Sequence, residues 1–251
     1  MSIEHFYIDT ELNDDSAYKE AMKFACDLAD KNPEIQRVVL LAATKNNVDW
    51  LGRAFDSSTV KELFKGMRFK DCKPLFKIET VKTYKQSFKK QDVVISMAID
   101  DEYVLPLDDM YSTIAVIAIP WQKSGIKQYM ETWNPVDIRS GQQFSSEGAE
   151  PSCIVKVALK ELHESINHST GIVNPHDNRK AKTTVLALHK YEVELDGDLI
   201  KGYLIRELKW DTKHAEDLAK LIRTLNSGKS FQGGVRTGLQ HHYKSWKEQC
   251  K

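Results

Sequence analysis

The sequence predicts an open, mainly parallel α/β sheet flanked by helices, followed by a small all-α domain. Two observations carry that expectation. The first half holds four apolar, β-branched runs, HFYID (5–9), RVVLLAA (37–43), DVVISMAI (92–99) and STIAVIAIP (112–120), with helical patterns between them. The second half, beyond residue 152, keeps the helical periodicity and loses the strand signal. Strands alternating with helices fit parallel pairing through right-handed crossovers, and a purely helical remainder fits a separate packing unit.

Three of the four runs, at 37–43, 92–99 and 112–120, are almost continuously apolar. Continuous runs of this kind belong to strands covered on both faces, whereas a half-exposed strand alternates. PLFKIETVK (74–82) carries lysines along a weaker apolar pattern, which predicts an edge strand. Between the first two runs, Ala17, Tyr18, Ala21, Met22, Phe24, Ala25, Leu28 and Ala29 form one stripe of a helix over 15–31. Asn13, Asp14 or Asp15 can cap its start. Val48–Phe55, Thr59–Met67 and Ile126–Trp133 read as three further short helices. The α/β domain is therefore expected to be Rossmann-like and to span residues 1–138.

RSGQQFSSEGAEPS (139–152) mixes Gly, Ser, Gln and Pro without periodicity, a linker composition. An α-helical domain over 153–228 follows, with helices at 153–167, 177–191, 198–208 and 212–226. Asp198 and Thr212 stand at N-cap positions and Gly228 at a helix stop. The tail 229–251 is Gly-rich, then basic and aromatic. Tyr243 and Trp246, at helical spacing, predict that it packs as a final helix.

The 251 residues are long enough to bury roughly 70–75% of the unfolded surface. A hydrophobic content of 41% with 29% charged residues is that of an ordinary globular protein, and no run reaches the length of a membrane span. The first fifteen residues lack the basic and apolar parts of a signal peptide. Cys26, Cys72, Cys153 and Cys250 are widely spaced without a CxxC pair. That spacing predicts neither a disulfide framework nor a zinc knuckle, and so a cytoplasmic location. The net charge is zero but unevenly placed. Residues 1–34 hold nine acidic and three basic side chains, and residues 61–90 hold ten basic and three acidic ones. Such blocks can guide an anionic ligand or a second copy in a homo-oligomer.

HFYID, a helix, and then RVVLLAATKNNVDWLGRAF resemble the opening of α/β domains related to the pyruvate kinase C-terminal domain. The likeness is one of layout and covers roughly residues 5–55. It implies phosphate binding at the turn after the second strand, at Thr44. The Ser/Thr-Gly richness of that turn is replaced here by Lys45, Asn46 and Asn47, so no ligand identity is carried over.

In open α/β sheets, ligands bind beyond the carboxyl ends of the strands. Three polar clusters fall at such ends: Thr44, Lys45, Asn46 and Asn47; Asp100, Asp101 and Glu102; and Trp121, Gln122 and Lys123. A lysine and amides beside a helix start suit an anion. The sequence thus predicts a small anionic or nucleotide-like ligand at Thr44, Lys45, Asn46, Asn47, Asp100 and Trp121. The helical domain would then serve in regulation or assembly. One alternative is a nucleic-acid-associated module using the basic tail and the 61–90 block, with Phe231, Tyr243 and Trp246 as stacking rings. Another is a metal-dependent hydrolase built on Asp100 and Asp101. No membrane partner, resident metal or cofactor is assigned.

Several motifs fail on inspection. No G-x-G-x-x-G follows a strand. Ser227-Gly228-Lys229-Ser230 contains the end of a phosphate-binding loop, but Arg223 sits where its first glycine belongs. His163 and His168 are five apart, which at 100° per residue places them about 140° apart, wrong for chelation and suited to surface or capping histidines. The stretch INHSTGIVNPHDNRK (166–180) reads as helix punctuation: Gly171 left-handed, Asn174 an N-cap, Pro175 the first helical residue and Asp177 at the positive helix end.

Overall fold

The computed structural model describes residues 3–10, 14–48, 51–145, 150–192 and 194–250. It divides into two compact units, Met1–Ser146 and Glu147–Lys251.

The first unit is built on six strands: β1 (Glu4–Tyr7), β2 (Arg37–Ala42), β3 (Leu75–Thr80), β4 (Asp92–Met97), β5 (Thr113–Ile119) and β6 (Val136–Asp137). Their order is β3-β2-β4-β5-β1-β6 and every neighbouring pair is parallel. Among the described residues, five α-helices accompany them: α1 (Asp15–Lys31), α2 (Leu51–Ala54), α3 (Ser57–Lys65), α4 (Asp101–Val104) and α5 (Lys127–Trp133). Val38, Leu40, Val93, Ile95 and Ile117 pack against α1, α2 and α3 on one face. Val39, Leu41, Val94, Val116 and Ala118 pack against α4 and α5 on the other. Successive strand side chains point to opposite faces, so a strand covered on both must be apolar throughout. Every residue of β4 and β5 is buried. The expected edge strand with lysines is β3, at one end of the sheet.

The helices begin where short polar side chains can accept the first free N–H groups. The Asp14 carboxylate takes the N–H groups of Ser16 and Ala17 at 3.1 and 3.3 Å, while Asn13 lies outside the described residues. Asp56 takes those of Ser58 and Thr59 at 2.9 Å, which starts α3 at Ser57 rather than Thr59. Two elements were not expected, α4 and the two-residue β6. Arg139, expected in a linker, bonds Asp14 and Glu20 at 2.6 Å and so belongs to the sheet unit.

The amino ends of β2 and β4 hold a buried polar knot. Arg37 meets the fully buried Asp92 with two bonds of 2.7 and 2.6 Å. The hydroxyls of Tyr84 and Ser112 complete the carboxylate shell at 3.1 and 2.7 Å. Burial first, then the Asp92 charge, pushes the Tyr84 phenol up to about 12. Removing one partner from such a pair costs about 3–5 kcal/mol, because the other charge is stranded.

The second unit contains α6 (Cys153–Ser165), α7 (Pro175–Tyr191), α8 (Gly197–Arg206), α9 (Thr212–Asn226) and α10 (Leu239–Glu248). The helix starts shift from expectation. Asp196, not Asp198, accepts the first N–H groups of α8, and Asp211 rather than Thr212 occupies the cap position of α9. Gly228 ends α9 with φ +75°, as expected for a helix stop. The tail packs as expected too: Trp246 of α10 is 2% exposed and the Tyr243 hydroxyl donates to Glu192 at 2.8 Å.

The cysteines correct the sequence reading. Cys26–Cys72 and Cys153–Cys250 are disulfides, with Cα–Cα distances of 5.4 and 5.9 Å. Pairs 46 and 97 residues apart carry no local spacing signal, so proximity becomes visible only in the fold. The expectation of a cytoplasmic location rested on unpaired cysteines and loses that ground, since such bonds persist chiefly in oxidising compartments. Among the described residues, no helix is long and apolar enough to cross a membrane.

Candidate functional site

The chain leaving β1 enters α1 on one face of the sheet, and the chain leaving its neighbour β5 enters α5 on the other. A crevice opens where adjacent strands send their connections to opposite faces. A cleft of about 430 Å³ lies at this place. Ile8, Pro120, Ile126 and Met130 give it an apolar wall, joined by the rings of Tyr7 and Phe144, which meet edge-on at 6.4 Å.

The local sequence explains the shape. Pro120 has no N–H to extend the ladder, so β5 stops there. The chain then makes a tight turn over Lys123–Ile126 and enters α5. Asp101 anchors that helix by accepting the N–H groups of Gln128 and Tyr129 at 2.8 and 2.7 Å. Gly125 lies against Asp100, where a Cβ would come within 2.4 Å of the carboxylate. At the end of β4, Ala98 adopts φ +53°, a conformation costly for a residue with a Cβ. Its N–H still bonds the carbonyl of Ile119 at 2.8 Å, so the kink stays tied to β5.

The cleft has a charged mouth. Lys123 bridges to Asp9 across the ends of β5 and β1 at 2.8 Å, with both side chains about half exposed. Lys127 and Glu131, one turn apart on α5, approach to 3.6 Å. The Tyr7 phenol is held above its ordinary range by burial and then by the charges of Asp137 and Asp9, with Lys123 opposing. A ligand here would meet an apolar, partly aromatic interior and two ammonium groups, each sharing its charge with a carboxylate.

The expected site residues divide. Trp121, 51% exposed, directly follows Pro120 but does not line the cleft. Asp100 is exposed beside Gly125. Thr44, Lys45 and Asn46 are exposed at the end of β2, and the Asn47 side chain lies outside the described residues. β2 is separated from β5 by β4, roughly 10 Å at ordinary strand spacing, so these residues stand apart from the cleft. Lys45–Val48 is a single 3-10 turn and offers no full helix end to an anion. Tyr7, Asp9 and Lys127 were missed. The strand-end rule applied to HFYID would have found Asp9; the strand order that makes β1 and β5 neighbours had no sequence signal. Asp101 is spent on capping α5, and among the described residues no group of three or more His, Cys, Asp or Glu is placed to hold a metal ion.

In the helical unit, α6 ends at Ser165, so the angular separation expected for His163 and His168 does not apply. The chain turns back and brings their rings to 4.1 Å, while the Trp210 indole donates to His163 Nδ1 at 3.0 Å. Burial, then the charge of His168, holds the His163 imidazole below its ordinary pKa. The rest of INHSTGIVNPHDNRK follows helix grammar. Asn174 accepts the His176 N–H at 2.9 Å, Pro175 opens α7, and Gly171 takes φ +55° beneath His214.

Among known proteins, residues 151–247 match the family described as Domain of unknown function (DUF1889). No curated protein and no solved structure matches the chain. The chain is thus similar to that family over its helical unit, and the sheet with its cleft lies outside the match.

Proposed function

We propose that the α/β unit binds a small anionic or nucleotide-like ligand in the cleft above β1 and β5, with the helical unit serving regulation or assembly. The observation that carries this reading is the cleft itself, at the carboxyl ends of adjacent strands whose connections diverge. Tyr7, Phe144 and Met130 would take a planar or apolar body. Lys123 would exchange Asp9 for the anionic group of the ligand, forming a charge-assisted bond in a less hydrated setting. Native mass spectrometry and thermal-shift measurements with a panel of nucleotides and phosphorylated metabolites test it. At least one compound should bind, and Lys123→Gln should weaken it tenfold or more. Binding by none, or a panel in which no bound compound is weakened by Lys123→Gln, would sink the reading.

A second reading has one specific support. Phe88 is fully exposed within the basic stretch Lys85–Lys90, and the backbone N–H of Tyr111, a residue 61% exposed, donates to Gln86 Oε1 of the same loop at 2.8 Å. Basic charge with exposed rings suits single-stranded nucleic acid. The tail contributes less than the sequence implied, because Trp246 is buried and unable to stack on a base. Oligonucleotide binding should fall steeply with salt and drop on Phe88→Ala. Unchanged binding by that variant would remove the loop from consideration.

A further inference from the structure

The helical unit holds its own cleft, of about 370 Å³, between α6, α7 and α10. Leu162 and the buried Trp246 form its floor. His176, Arg179 and Lys180 of α7 and His242 of α10 stand around its opening. Its one carboxylate, Glu161, is occupied by the Trp246 indole N–H at 2.8 Å. The titratable groups facing this space therefore amount to two permanent cations, two imidazoles and one engaged anion.

The arginines show why this excess matters. Of the eight in the chain, Arg37, Arg53, Arg139, Arg206 and Arg223 each hold at least one carboxylate. Arg68 and Arg236 donate to main-chain carbonyls. Only the Arg179 guanidinium is without a hydrogen-bond or ion-pair partner among the described residues, and it lines this cleft. Beside it, Lys180 gives a single bond, to the Ser165 carbonyl at 2.6 Å. Asp177 is buried and absent from the lining; its carboxylate accepts the Asn167 N–H at 3.2 Å and lies 3.4 Å from His176 Nδ1.

The walls are tied in place. Cys153–Cys250 joins the ends of α6 and α10, the Lys180 bond joins α7 to the end of α6, and the Val235 N–H bonds Thr183 of α7 at 2.8 Å. A volume of this size lies in the range of small-molecule sites, and a fixed cleft spares a ligand the ordering cost. A planar guanidinium with five N–H donors, next to an ammonium, matches the oxygens of a phosphate group.

We infer that this cleft binds a small phosphate monoester, its dianion held by Arg179 and Lys180 and its organic body laid beside the exposed His242 ring, above the buried Trp246. This site is independent of the cleft above β1 and β5.

Titration of the full chain with phenyl phosphate, inorganic phosphate and phenol, followed by ¹H–¹⁵N correlation spectra, tests it. The indole N–H of Trp246 should shift saturably with phenyl phosphate, at least tenfold more weakly with inorganic phosphate, and not with phenol. Arg179→Gln, at an exposed position, should weaken phenyl phosphate at least tenfold, and Arg179→Lys should weaken it less. Lys213→Gln on α9 and Lys123→Gln should leave it unchanged, which separates this site from the sheet cleft. No shift at Trp246 with millimolar phenyl phosphate, an equal shift with phenol, or full binding by Arg179→Gln would overturn the inference.

Discussion

The two units put their chemistry in place by different means. A parallel sheet is polar: all its strands start at one end and finish at the other. In the first unit the starting end holds the closed knot of Arg37, Asp92, Tyr84 and Ser112, and the finishing end holds the open cleft with Asp9 and Lys123. The buried polar knot and the open cleft are thereby separated along the strand direction. The helical unit has no such axis. Its cleft arises where three helices leave a gap, and it is lined by Arg179, whose guanidinium is without a partner among the described residues. In a sheet protein the topology points to the site; in a helical one the pairing of charges does.

That contrast can be broken most severely at the knot. Asp92→Ala should strand the Arg37 guanidinium and cost about 3–5 kcal/mol in chemical denaturation of the sheet unit. The transition of the helical unit should stay where it was; a matching loss there would show that the two do not melt independently.

Next in size are the disulfides. Closing loops of 46 and 97 residues restricts the unfolded chain by about 4 and about 4.7 kcal/mol in the chain-entropy picture, and commonly by less in practice. Cys153→Ser with Cys250→Ser should lower the melting temperature of the helical unit, and Cys26→Ser with Cys72→Ser that of the sheet unit. Mass spectrometry after alkylation without reductant should find no modified cysteine. Full alkylation of the native protein would contradict both bonds.

A smaller, opposite effect is expected at Ala98. Its φ of +53° suits glycine, so Ala98→Gly should raise the stability of the sheet unit by up to about 1 kcal/mol, seen as a higher denaturation midpoint. A drop would mean that the methyl group packs for more than the backbone costs.

The smallest effect is a pH dependence. The His163 imidazole is held below its ordinary value near 6.5 when folded. The unfolded chain therefore takes up the proton first as pH falls. The contribution of His163 is complete above pH 6.5 and declines as pH drops from there through the folded value. His163→Asn should flatten this decline in melting temperature between neutral and mildly acidic buffer, and a slope of the opposite sign would refute the assignment.

The fold was legible to the extent that burial leaves a periodic trace. The continuous runs became β2, β4 and β5, the lysine-bearing run became the edge strand β3, and the stripe from Ala17 to Ala29 became the inner face of α1. Short elements were not legible, because α4 and β6 span four and two residues, too few for a period to show. The candidate site was legible in kind more than in place. Lys123 and Trp121 were noticed because a polar cluster follows an apolar run, but only strand order makes Asp9 a partner of Lys123. The disulfides, Arg179 and the His163–His168 pair were hidden because each depends on chain segments meeting in space.

The most direct measurement is native mass spectrometry of the full chain with the nucleotide and phosphorylated-metabolite panel, made on the wild type, Lys123→Gln and Arg179→Gln. The result expected is a compound retained by the wild type and by Arg179→Gln but weakened tenfold or more in Lys123→Gln, which assigns it to the cleft above β1 and β5. A panel that leaves the wild type unbound, or one in which no retained compound is weakened by Lys123→Gln, would contradict the assignment of that cleft as a binding site.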